Sequence, residues 1–339
     1  YELHPSITLH QLNINYDEMY GRTLPKRILG YWKKQRLFKK RLNECLCNIR
    51  PDITISLLRR DINFINKVKD GSIKIGEIHF NKSDYRAFND NHLPMFLQRI
   101  VKEHWRRQLI RQLRQLKRFI VLSHEDAAQW TELNNVSVIY NPLPFYPGVS
   151  SDNSQKQVIA VGRYVPQKGF DRLIPAWKIV SEQHPDWTLR IYGDGMREKL
   201  QQQIDSLGIS SNCVLEHSVP NIVDKYCESS IFVLSSRFEG FGMVIIEAMA
   251  CGVPPVSFTC PCGPRDIITD SKDGLLVENG DIEGLAGKIC YLIENEKVRK
   301  EMGKQARINV ERFKIEHVAQ EWRELFETLT KQPYSDQLS

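Results

Sequence analysis

The sequence predicts an α/β protein with two domains, each built around a parallel β-sheet. Short β-branched runs alternate with amphipathic helical stretches over most of the 339 residues, and this alternation is typical of parallel sheets flanked by helices. A chain of this length also favours two domains over one. A turn-rich polar segment at residues 141–154 lies between the two series of elements. We therefore expect a first domain over residues 1–146 and a second over residues 147–315.

The first half begins with residues 6–13, whose alternating apolar and polar side chains predict an edge strand. Residues 24–49 predict a long helix with one apolar stripe and one basic face. The later elements are two strands, a basic amphipathic helix and two more strands, at residues 52–57, 73–80, 94–116, 118–122 and 136–140. This series resembles βαβ units and predicts a parallel sheet.

The second half repeats the alternation more regularly. Runs rich in β-branched and aromatic residues predict strands at residues 158–161, 187–192, 213–216, 231–234, 253–258 and 275–277. Helical periodicity predicts intervening helices, of which the last four lie at residues 243–251, 281–294, 297–312 and 315–330.

The composition is that of an ordinary globular protein, with 41% hydrophobic and 26% charged residues. The apolar run at residues 241–258 is interrupted by Glu247, Gly252 and two prolines, so we do not expect it to span a membrane. Residues 1–150 carry 25 Lys and Arg against 14 Asp and Glu, a net charge of +11, whereas residues 151–339 carry 22 against 27. A basic first half favours an anionic partner, either membrane lipid or nucleic acid, and a solvated helix face is the alternative.

The sequence gives little support to metal or disulfide chemistry. Its eight cysteines are scattered, and the close pairs Cys45-x-Cys47 and Cys260-x-Cys262 lack a second ligand pair at zinc spacing. No two aspartates are separated by a single residue, an arrangement that commonly holds the cation of metal-dependent nucleotide-sugar enzymes. We therefore expect no metal and no cofactor, and the scattered thiols favour a reducing cytoplasm.

Residues 235–254 form the most informative stretch, because they predict a buried strand, a glycine turn and a buried helix in succession. Glu247 is the single charged residue of the apolar run, and Glu239 precedes it by eight positions. Helical side chains tilt toward the N-terminus, so we expect Glu247 to point back at the turn that carries Glu239. Two carboxylates beside a helix N-terminus predict a site for sugar hydroxyls and a phosphate. The alternative is a core helix whose glutamate pairs with a neighbour.

A second candidate site follows the strand at residues 158–161, where Gly162 and Arg163 begin a turn that ends at Lys168 and Gly169. Ligands of parallel sheets bind at the carboxyl ends of strands. A guanidinium and an ammonium group at this spacing suit a pyrophosphate, because Arg binds forked oxygens and Lys acts as a point charge. The alternative is a pair of ordinary loop cations.

Together these motifs resemble those of the retaining glycosyltransferases of family 4, which have the GT-B fold. The resemblance rests on an E-x7-E motif and two glycine turns: Glu239 to Glu247, Gly162 to Gly169, and Gly193 to Gly195. With further matches it covers most of residues 138–330. It implies two Rossmann-like domains with parallel sheets that face each other across a cleft, and a last helix, residues 316–330, that packs on the first domain.

The resemblance implies how a nucleotide-sugar donor would be bound. Glu247 would accept hydrogen bonds from the ribose hydroxyls of the nucleotide. Glu239 would hold the donor sugar together with the backbone at Phe241, Gly242 and Met243.

The same resemblance implies that Gly162, Arg163 and Lys168 bind the diphosphate and that Val219 lies near the base. Without an aspartate pair to hold a metal, these cations and the helix end would have to neutralise the leaving diphosphate. His79, at the end of a first-domain strand, would face the donor sugar across the cleft, and a packed loop histidine is the alternative. The candidates for catalysis are Glu239, His79, Lys168 and Arg163.

The implied reaction is transfer of a sugar from a nucleotide-diphosphate sugar, expected to be a UDP-sugar, to an acceptor hydroxyl with retention. The acceptor would be a glycan or a lipid-linked molecule, in polysaccharide, lipopolysaccharide or glycolipid synthesis. The protein would be cytoplasmic, or peripheral at the inner face of a membrane. Nucleic acid is not expected as a partner, since aromatic residues are not interleaved as stacking platforms. A non-catalytic nucleotide-sugar-binding protein and a GT-B epimerase or phosphorylase remain alternatives.

The chain also departs from that family, whose first domain opens with a strand, a glycine-rich loop and a helix. By the family's usual layout the chain begins roughly 50 residues late. We therefore expect a truncated first domain and a longer parent protein.

Overall fold

The computed structural model of the protein describes residues 3–19, 23–82 and 95–331. These residues contain two β-sheets, one of four strands and one of six, and every neighbouring pair of strands is parallel. The predicted α/β class with two parallel sheets is confirmed.

The first sheet has the strand order β1-β2-β3-β4. Its strands are β1 (Ile53–Ser56), β2 (Ile73–Glu77), β3 (Arg118–Val121) and β4 (Val136–Val138). Its helices are α1 (Leu24–Ile49), α2 (Met95–Leu113) and α3 (His124–Gln129). Each strand follows its spatial neighbour along the chain, so the order is that of successive βαβ-like crossovers.

The second sheet has the strand order β10-β9-β8-β5-β6-β7. Its strands are β5 (Gln157–Val161), β6 (Thr188–Tyr192), β7 (Cys213–Glu216), β8 (Ile231–Leu234), β9 (Pro255–Phe258) and β10 (Leu275–Val277). The helices of this half are α4 (Phe170–Gln183), α5 (Arg197–Ser206), α6 (Ile222–Cys227), α7 (Met243–Ala250), α8 (Pro264–Ile267), α9 (Ile282–Glu294), α10 (Glu296–Asn309) and α11 (Ile315–Lys331).

The order of the second sheet creates a topological switch point beside β5. The chain proceeds from β5 to β6 and β7 on one side and then returns to form β8 on the other side. The loops after β5 and β8, residues 162–169 and 235–242, therefore leave neighbouring strand ends in opposite directions. Crevices of this kind, at the carboxyl ends of strands, are where ligands bind in open parallel sheets.

Buried side chains cover both faces of each sheet. In the second sheet, Trp177 of α4 belongs to the core on one face, and Ile245 of α7 to the core on the other. In the first sheet, Phe119 packs with residues of α2 and α3. The opposite face contacts the last helix, because Ile75 and Ile120 form a cluster with Val318 and Leu329 of α11. The C-terminal helix thus crosses back to the first sheet.

The predicted strand at residues 6–13 was wrong. Residues 7–15 have no regular structure and run beside α1, where Arg41 donates hydrogen bonds to the carbonyls of Leu12 (2.6 Å) and Asn13 (2.9 Å). A strand requires a neighbouring strand to satisfy its backbone. Within the described residues β1 pairs with β2 alone. Residues 6–13 therefore have no strand there with which to form backbone hydrogen bonds.

The long helix α1 carries both charge and apolar surface into the solvent. Its exposed residues include Lys33 and Arg36 as well as Ile28 (52% exposed) and Trp32 (62% exposed). Within residues 3–19, 23–82 and 95–331, no helix combines the length and the apolar character needed to cross a membrane.

Truncation of Leu329 tests the crossing of α11. Leu329 is 2% exposed and packs with Ile75 and Ile120, so Leu329→Ala should lower the free energy of unfolding by about 3 kcal/mol. Ile315 begins the same helix but is 60% exposed, so Ile315→Ala should change it by less than about 0.5 kcal/mol. Denaturant unfolding followed by circular dichroism measures both values. Equal effects would contradict the packing of α11 on the first sheet.

Candidate functional site

The loops after β5 and β8 are joined by hydrogen bonds at the switch point. Ser235 Oγ donates to the carbonyl of Lys168 (2.9 Å), and the amide of Arg237 donates to the carbonyl of Gln167 (2.8 Å). Gln167 Nε2 in turn donates to the carbonyl of Phe238 (3.2 Å). The two turns that the sequence singled out therefore form one structural unit.

This unit forms one wall of a cleft of about 330 Å³ between the two halves of the molecule. Most of the candidate residues line it: His79, Arg163, Lys168, Glu239, Phe241, Gly242 and Met243. The opposite wall comes from the residues after β2, from Leu122 after β3, and from Asn141 after β4. Gly162, Val219 and Glu247 do not line this cleft.

A buried ion pair lies at the centre of the cleft wall. Lys168 Nζ is 2.8 Å from Glu239 Oε1, and the two side chains are 15% and 7% exposed. Ser236 Oγ donates to the same carboxylate oxygen (2.6 Å). Both side-chain partners that Glu239 has among the described residues use Oε1, and Oε2 has none there. A buried charge pair of this kind is stable only when its geometry and additional hydrogen bonds offset the cost of desolvation.

Gly162 contributes to this pair by its lack of a side chain. A Cβ atom at Gly162 would lie 3.1 Å from Cδ of Lys168 and 3.2 Å from its Cε. The alkyl chain of Lys168 therefore passes directly over Gly162 on its way to Glu239. Arg163, the next residue, is exposed, and its guanidinium group has no hydrogen-bond or ion-pair partner within the described residues.

Glu247 lies in α7, half-buried behind the cleft wall. Tyr226 donates a hydrogen bond from its hydroxyl to Oε2 of Glu247 (3.1 Å). Burial raises the pKa of Glu247, and the Tyr226 hydrogen bond and the charge of Lys168 act in the opposite direction. Among the described residues Glu247 forms no salt bridge in the core, because its partner there is a neutral phenol. Its Oε1 has no protein partner in the same set of residues.

His79 reaches the cleft from the first half of the chain, directly after β2. Its side chain is 40% exposed, and its Nε2 is 3.1 Å from Oε1 of Glu77. Its backbone also meets the opposite wall, since a Cβ at Gly240 would lie 2.3 Å from the carbonyl oxygen of His79. Only glycine allows the loop after β8 to approach His79 this closely.

Val219 lies in the loop after β7, away from the cleft lining. Asp194 organises this loop: it accepts hydrogen bonds from His217 Nδ1 (2.8 Å) and from the backbone amide of Ser218 (3.2 Å). A hydrogen bond from the Ser218 hydroxyl, together with these two bonds, lowers the pKa of Asp194 to about 2. The aspartate of the Gly193-Asp194-Gly195 turn therefore anchors the segment that carries Val219.

Three polar residues of the cleft lining were not among the candidates from the sequence, namely Asn81, Asn141 and Gln167. Asn81 is 2% exposed, and its Nδ2 lies 3.5 Å from the carbonyl oxygen of Glu239. It follows His79 by two positions at the end of β2, so the rule that ligands gather at the carboxyl ends of parallel strands could have identified it.

Neither a metal cluster nor a disulfide is present in the part of the chain that the structure describes. Its His, Cys, Asp and Glu side chains form no group of three or more that could hold a metal ion. All eight cysteines are free. Burial raises the pKa of the thiols of Cys213 and Cys262 to about 12, so these groups are protonated and unreactive at neutral pH.

Substitution of Glu247 tests its burial through the pH dependence of stability. Burial raises the pKa of Glu247 above its usual 4.5, so the folded protein keeps a proton here that the unfolded chain has lost. Wild-type stability should therefore fall as the pH rises from about 4.5 through the raised pKa, and Glu247→Gln should lack this loss. Unfolding free energies measured without nucleotide from about pH 4 to pH 8 should diverge in favour of the variant. Parallel curves would contradict the buried environment.

A family model and several known proteins are similar to the second half of the chain. Residues 147–309 match the family model described as Glycosyl transferases group 1. An uncharacterised glycosyltransferase of Haemophilus influenzae is 30% identical over 61% of this chain and 60% of its own length. The poly(ribitol-phosphate) α-N-acetylglucosaminyltransferase of Staphylococcus aureus is 28% identical over 73% of this chain and 51% of its own length. The chain thus spans roughly half to three-fifths of these two relatives.

Solved structures show the same architecture. The crystal structure of TarM matches with a TM-score of 0.70 at 25% identity, over 86% of this chain and 58% of that one. Anabaena Alr3699/HepE in complex with UDP matches with a TM-score of 0.73 at 20% identity, over 86% of this chain and 82% of that one. The fold is therefore GT-B, with two Rossmann-like domains.

Proposed function

We propose that this protein transfers a sugar from a nucleotide-diphosphate sugar, specifically a UDP-sugar, to an acceptor hydroxyl with retention, as family 4 glycosyltransferases do. The observation that carries the proposal is the cleft at the switch point of the second sheet. There the Lys168–Glu239 pair lies beside the exposed guanidinium of Arg163. One cavity thus contains two cations, which suit a diphosphate, and a carboxylate, which suits sugar hydroxyls.

In this proposal Arg163 and Lys168 bind the diphosphate of the donor. Negative charge develops on the diphosphate as its bond to the sugar breaks, and fixed cations stabilise that charge without a metal ion. The pairing with Glu239 holds the ammonium group of Lys168 at the cleft. Gly162 leaves the space through which the Lys168 side chain runs.

The carboxylates bind hydroxyl groups in the same proposal. Glu239 uses its remaining Oε2 to accept from the donor sugar, which also contacts the backbone at Phe241, Gly242 and Met243. Glu247 uses its remaining Oε1 to accept from the ribose, and Val219 lies near the base. These carboxylate oxygens support the two roles, because each has no hydrogen-bond partner among the described residues and can accept from a ligand hydroxyl.

Retention follows if the leaving diphosphate takes the acceptor proton on the face from which it departs. The bond between the anomeric carbon and the diphosphate oxygen breaks, the bond to the acceptor oxygen forms, and the acceptor proton moves to the diphosphate. His79 faces the donor sugar across the cleft and is held by Glu77 (3.1 Å). None of the cleft's described residues is a convincing covalent nucleophile, which supports this route over a double displacement.

The names of similar proteins support a UDP-sugar donor and a polymeric or lipid-linked acceptor. A TarM mutant of S. aureus, solved with fondaparinux, α-GlcNAc-glycerol and UDP, is 27% identical over 76% of this chain and 51% of its own, with a TM-score of 0.63. The amylovoran biosynthesis glycosyltransferase AmsD of Erwinia amylovora is 31% identical over 62% of this chain. We propose polysaccharide, lipopolysaccharide or glycolipid synthesis on this basis.

We further propose that the acceptor lies against the first domain, residues 1–146 with helix residues 316–330, and that the donor domain comprises residues 147–315. The first domain would rest on an anionic membrane at its cytoplasmic face. Exposed Trp32 and Ile28 beside Lys33 and Arg36 on α1 support that surface, because peripheral helices combine apolar and basic side chains.

Binding of UDP tests the role of Glu247. At a UDP concentration of 100 times Kd, the wild type should gain about 2.7 kcal/mol of stability. Glu247→Ala should gain less at the same concentration, because the ribose hydroxyls lose their acceptor. Glu283→Ala, on the surface helix α9, is the control and should behave as the wild type. Thermal unfolding with and without UDP measures all three. Equal shifts in all three proteins would contradict the assignment of Glu247.

Turnover tests the role of Arg163. Arg163→Ala should lower kcat/KM by about 10- to 100-fold through loss of a charge-assisted phosphate contact. Its stability should be unchanged, since the exposed side chain of Arg163 makes no hydrogen bond or ion pair within the described residues. Lys156→Ala, which removes an exposed ion pair with Asp186 in the same domain, is the matched control. Steady-state kinetics with a UDP-sugar donor measure the effect, and wild-type kinetics in Arg163→Ala would defeat the assignment.

A further inference from the structure

The short helices α3 and α8 belong to different domains, and their N-terminal ends contact each other. Asp266 of α8 accepts hydrogen bonds from the backbone amides of His124 (Oδ1, 2.7 Å) and Glu125 (Oδ2, 3.3 Å) in the first turn of α3. Glu125 in return accepts from the amide of Cys262 (3.1 Å) and forms an ion pair with Arg265 (2.8 Å). We name Glu125, Arg265 and Asp266, with the backbone amides that they bind, the interdomain clasp.

The clasp supplies hydrogen-bond acceptors for first-turn amides of α3 that have none among the described residues of the first domain. Within α3, Ser123 Oγ accepts from the amide of Asp126 (3.0 Å). The amides of His124 and Glu125 are free donors of the first turn, and an intrahelical acceptor does not exist for them. Because their acceptor is a carboxylate of the other domain, this cap is complete only in the domain arrangement that the structure has.

The same segment that carries the clasp also holds the loop after β8. The amide of Glu239 donates to the carbonyl of Pro261 (3.1 Å). Gly263, at a φ of 125°, packs on the backbone of the loop, since a Cβ there would lie 1.7 Å from the carbonyl oxygen of Phe241. Residues 261–266 therefore contact the first domain on one side and the Glu239 loop on the other.

A second contact ties that loop to the chain crossings between the domains. The ring of Phe241 lies 5.7 Å from Tyr140 and 5.5 Å from Phe313, measured between ring centroids. Tyr140 begins the first crossing between domains, and Phe313 precedes α11, which makes the second. The amide of Leu143 donates to the carbonyl of Phe313 (2.7 Å), so the two crossings are joined beside Phe241.

We propose that Glu125 and Asp266 are positioning residues, whose clasp couples the orientation of the two domains to the geometry of the Glu239–Met243 loop. Neither side chain touches the cleft lining. When the domains separate, water replaces the backbone amides that both carboxylates bind. Residues 261–266 then no longer contact α3. The loop then loses the support that residues 261–266 give it. This inference rests on the proposed function, because it assigns the loop to the donor sugar.

The test compares Asp266→Ala and Glu125→Ala with Asp281→Ala. Asp281 caps α9 by accepting from the amide of Gly284 (2.8 Å), entirely within the second domain. The control thus removes a carboxylate cap of the same kind without touching the other domain. The full chain is used throughout, with UDP and a UDP-sugar as probes.

In the two clasp variants, kcat/KM for the UDP-sugar should fall about tenfold or more, which corresponds to the loss of a helix cap. Their Kd for UDP should stay within about twofold of the wild type, because Glu247 and Arg163 are untouched. Amide exchange followed by mass spectrometry should quicken in residues 124–126 and in residues 239–243. Asp281→Ala should leave all three measurements at wild-type values. A general loss of structure would instead raise Kd for UDP and quicken exchange throughout the second domain.

The two proposals fail separately in this experiment. If the wild type neither binds UDP nor turns over a UDP-sugar, the proposed function fails, and amide exchange alone decides the clasp. If Asp266→Ala leaves exchange in residues 239–243 unchanged, the coupling is overturned whatever the activity. Turnover equal to that of Asp281→Ala in an active enzyme would overturn it as well.

Discussion

The ion pair between Lys168 and Glu239 is the interaction on which the cleft depends. It joins the loop after β5 to the loop after β8, and these strands are neighbours only because the sheet reverses its order between them. Both charges are largely buried, so loss of either partner would leave the other uncompensated, at a cost of about 3–5 kcal/mol. Gly162 leaves room for the Lys168 side chain, and Ser236 donates a hydrogen bond to Glu239, so both stabilise that pair. The ligand chemistry of the cleft follows from it: one acceptor oxygen and an ammonium group, fixed beside the exposed guanidinium of Arg163.

The position of the first domain is the second constraint, because one wall of the cleft comes from it. The backbone of His79 meets Gly240 too closely for any other residue at that position. Asp266 of α8 caps α3 across the same boundary, and Glu125 of α3 binds the amide of Cys262 in return. The aromatic rings of Tyr140, Phe241 and Phe313 pack where the chain passes between domains. The orientation of the two domains therefore determines the shape of the cleft in this protein.

Local patterns predicted the strands and helices of the second half well, but they did not predict the contacts between the two halves. The strand at residues 231–234 and the helix after Gly242 follow from a β-branched run, two glycines and a breaker-free helix, and the structure has both. Residues 6–13 show the same alternation as a strand, but no neighbouring strand among the described residues supplies their backbone with partners. The Glu125–Asp266 clasp joins residues 141 positions apart, and nothing local marks either carboxylate as a cap for the other domain. The hydroxyl of Tyr226, which meets Glu247, is hidden from sequence for the same reason.

The most direct test of the account is a crystal structure of this protein with UDP bound. We expect the diphosphate oxygens within hydrogen-bond distance of Lys168 Nζ and the Arg163 guanidinium, with the ribose hydroxyls on Glu247. The Lys168–Glu239 pair should remain intact in that structure, because Lys168 retains further N–H donors for the phosphate. Electron density for UDP elsewhere on the protein, with the cleft filled by water alone, would contradict the central claim.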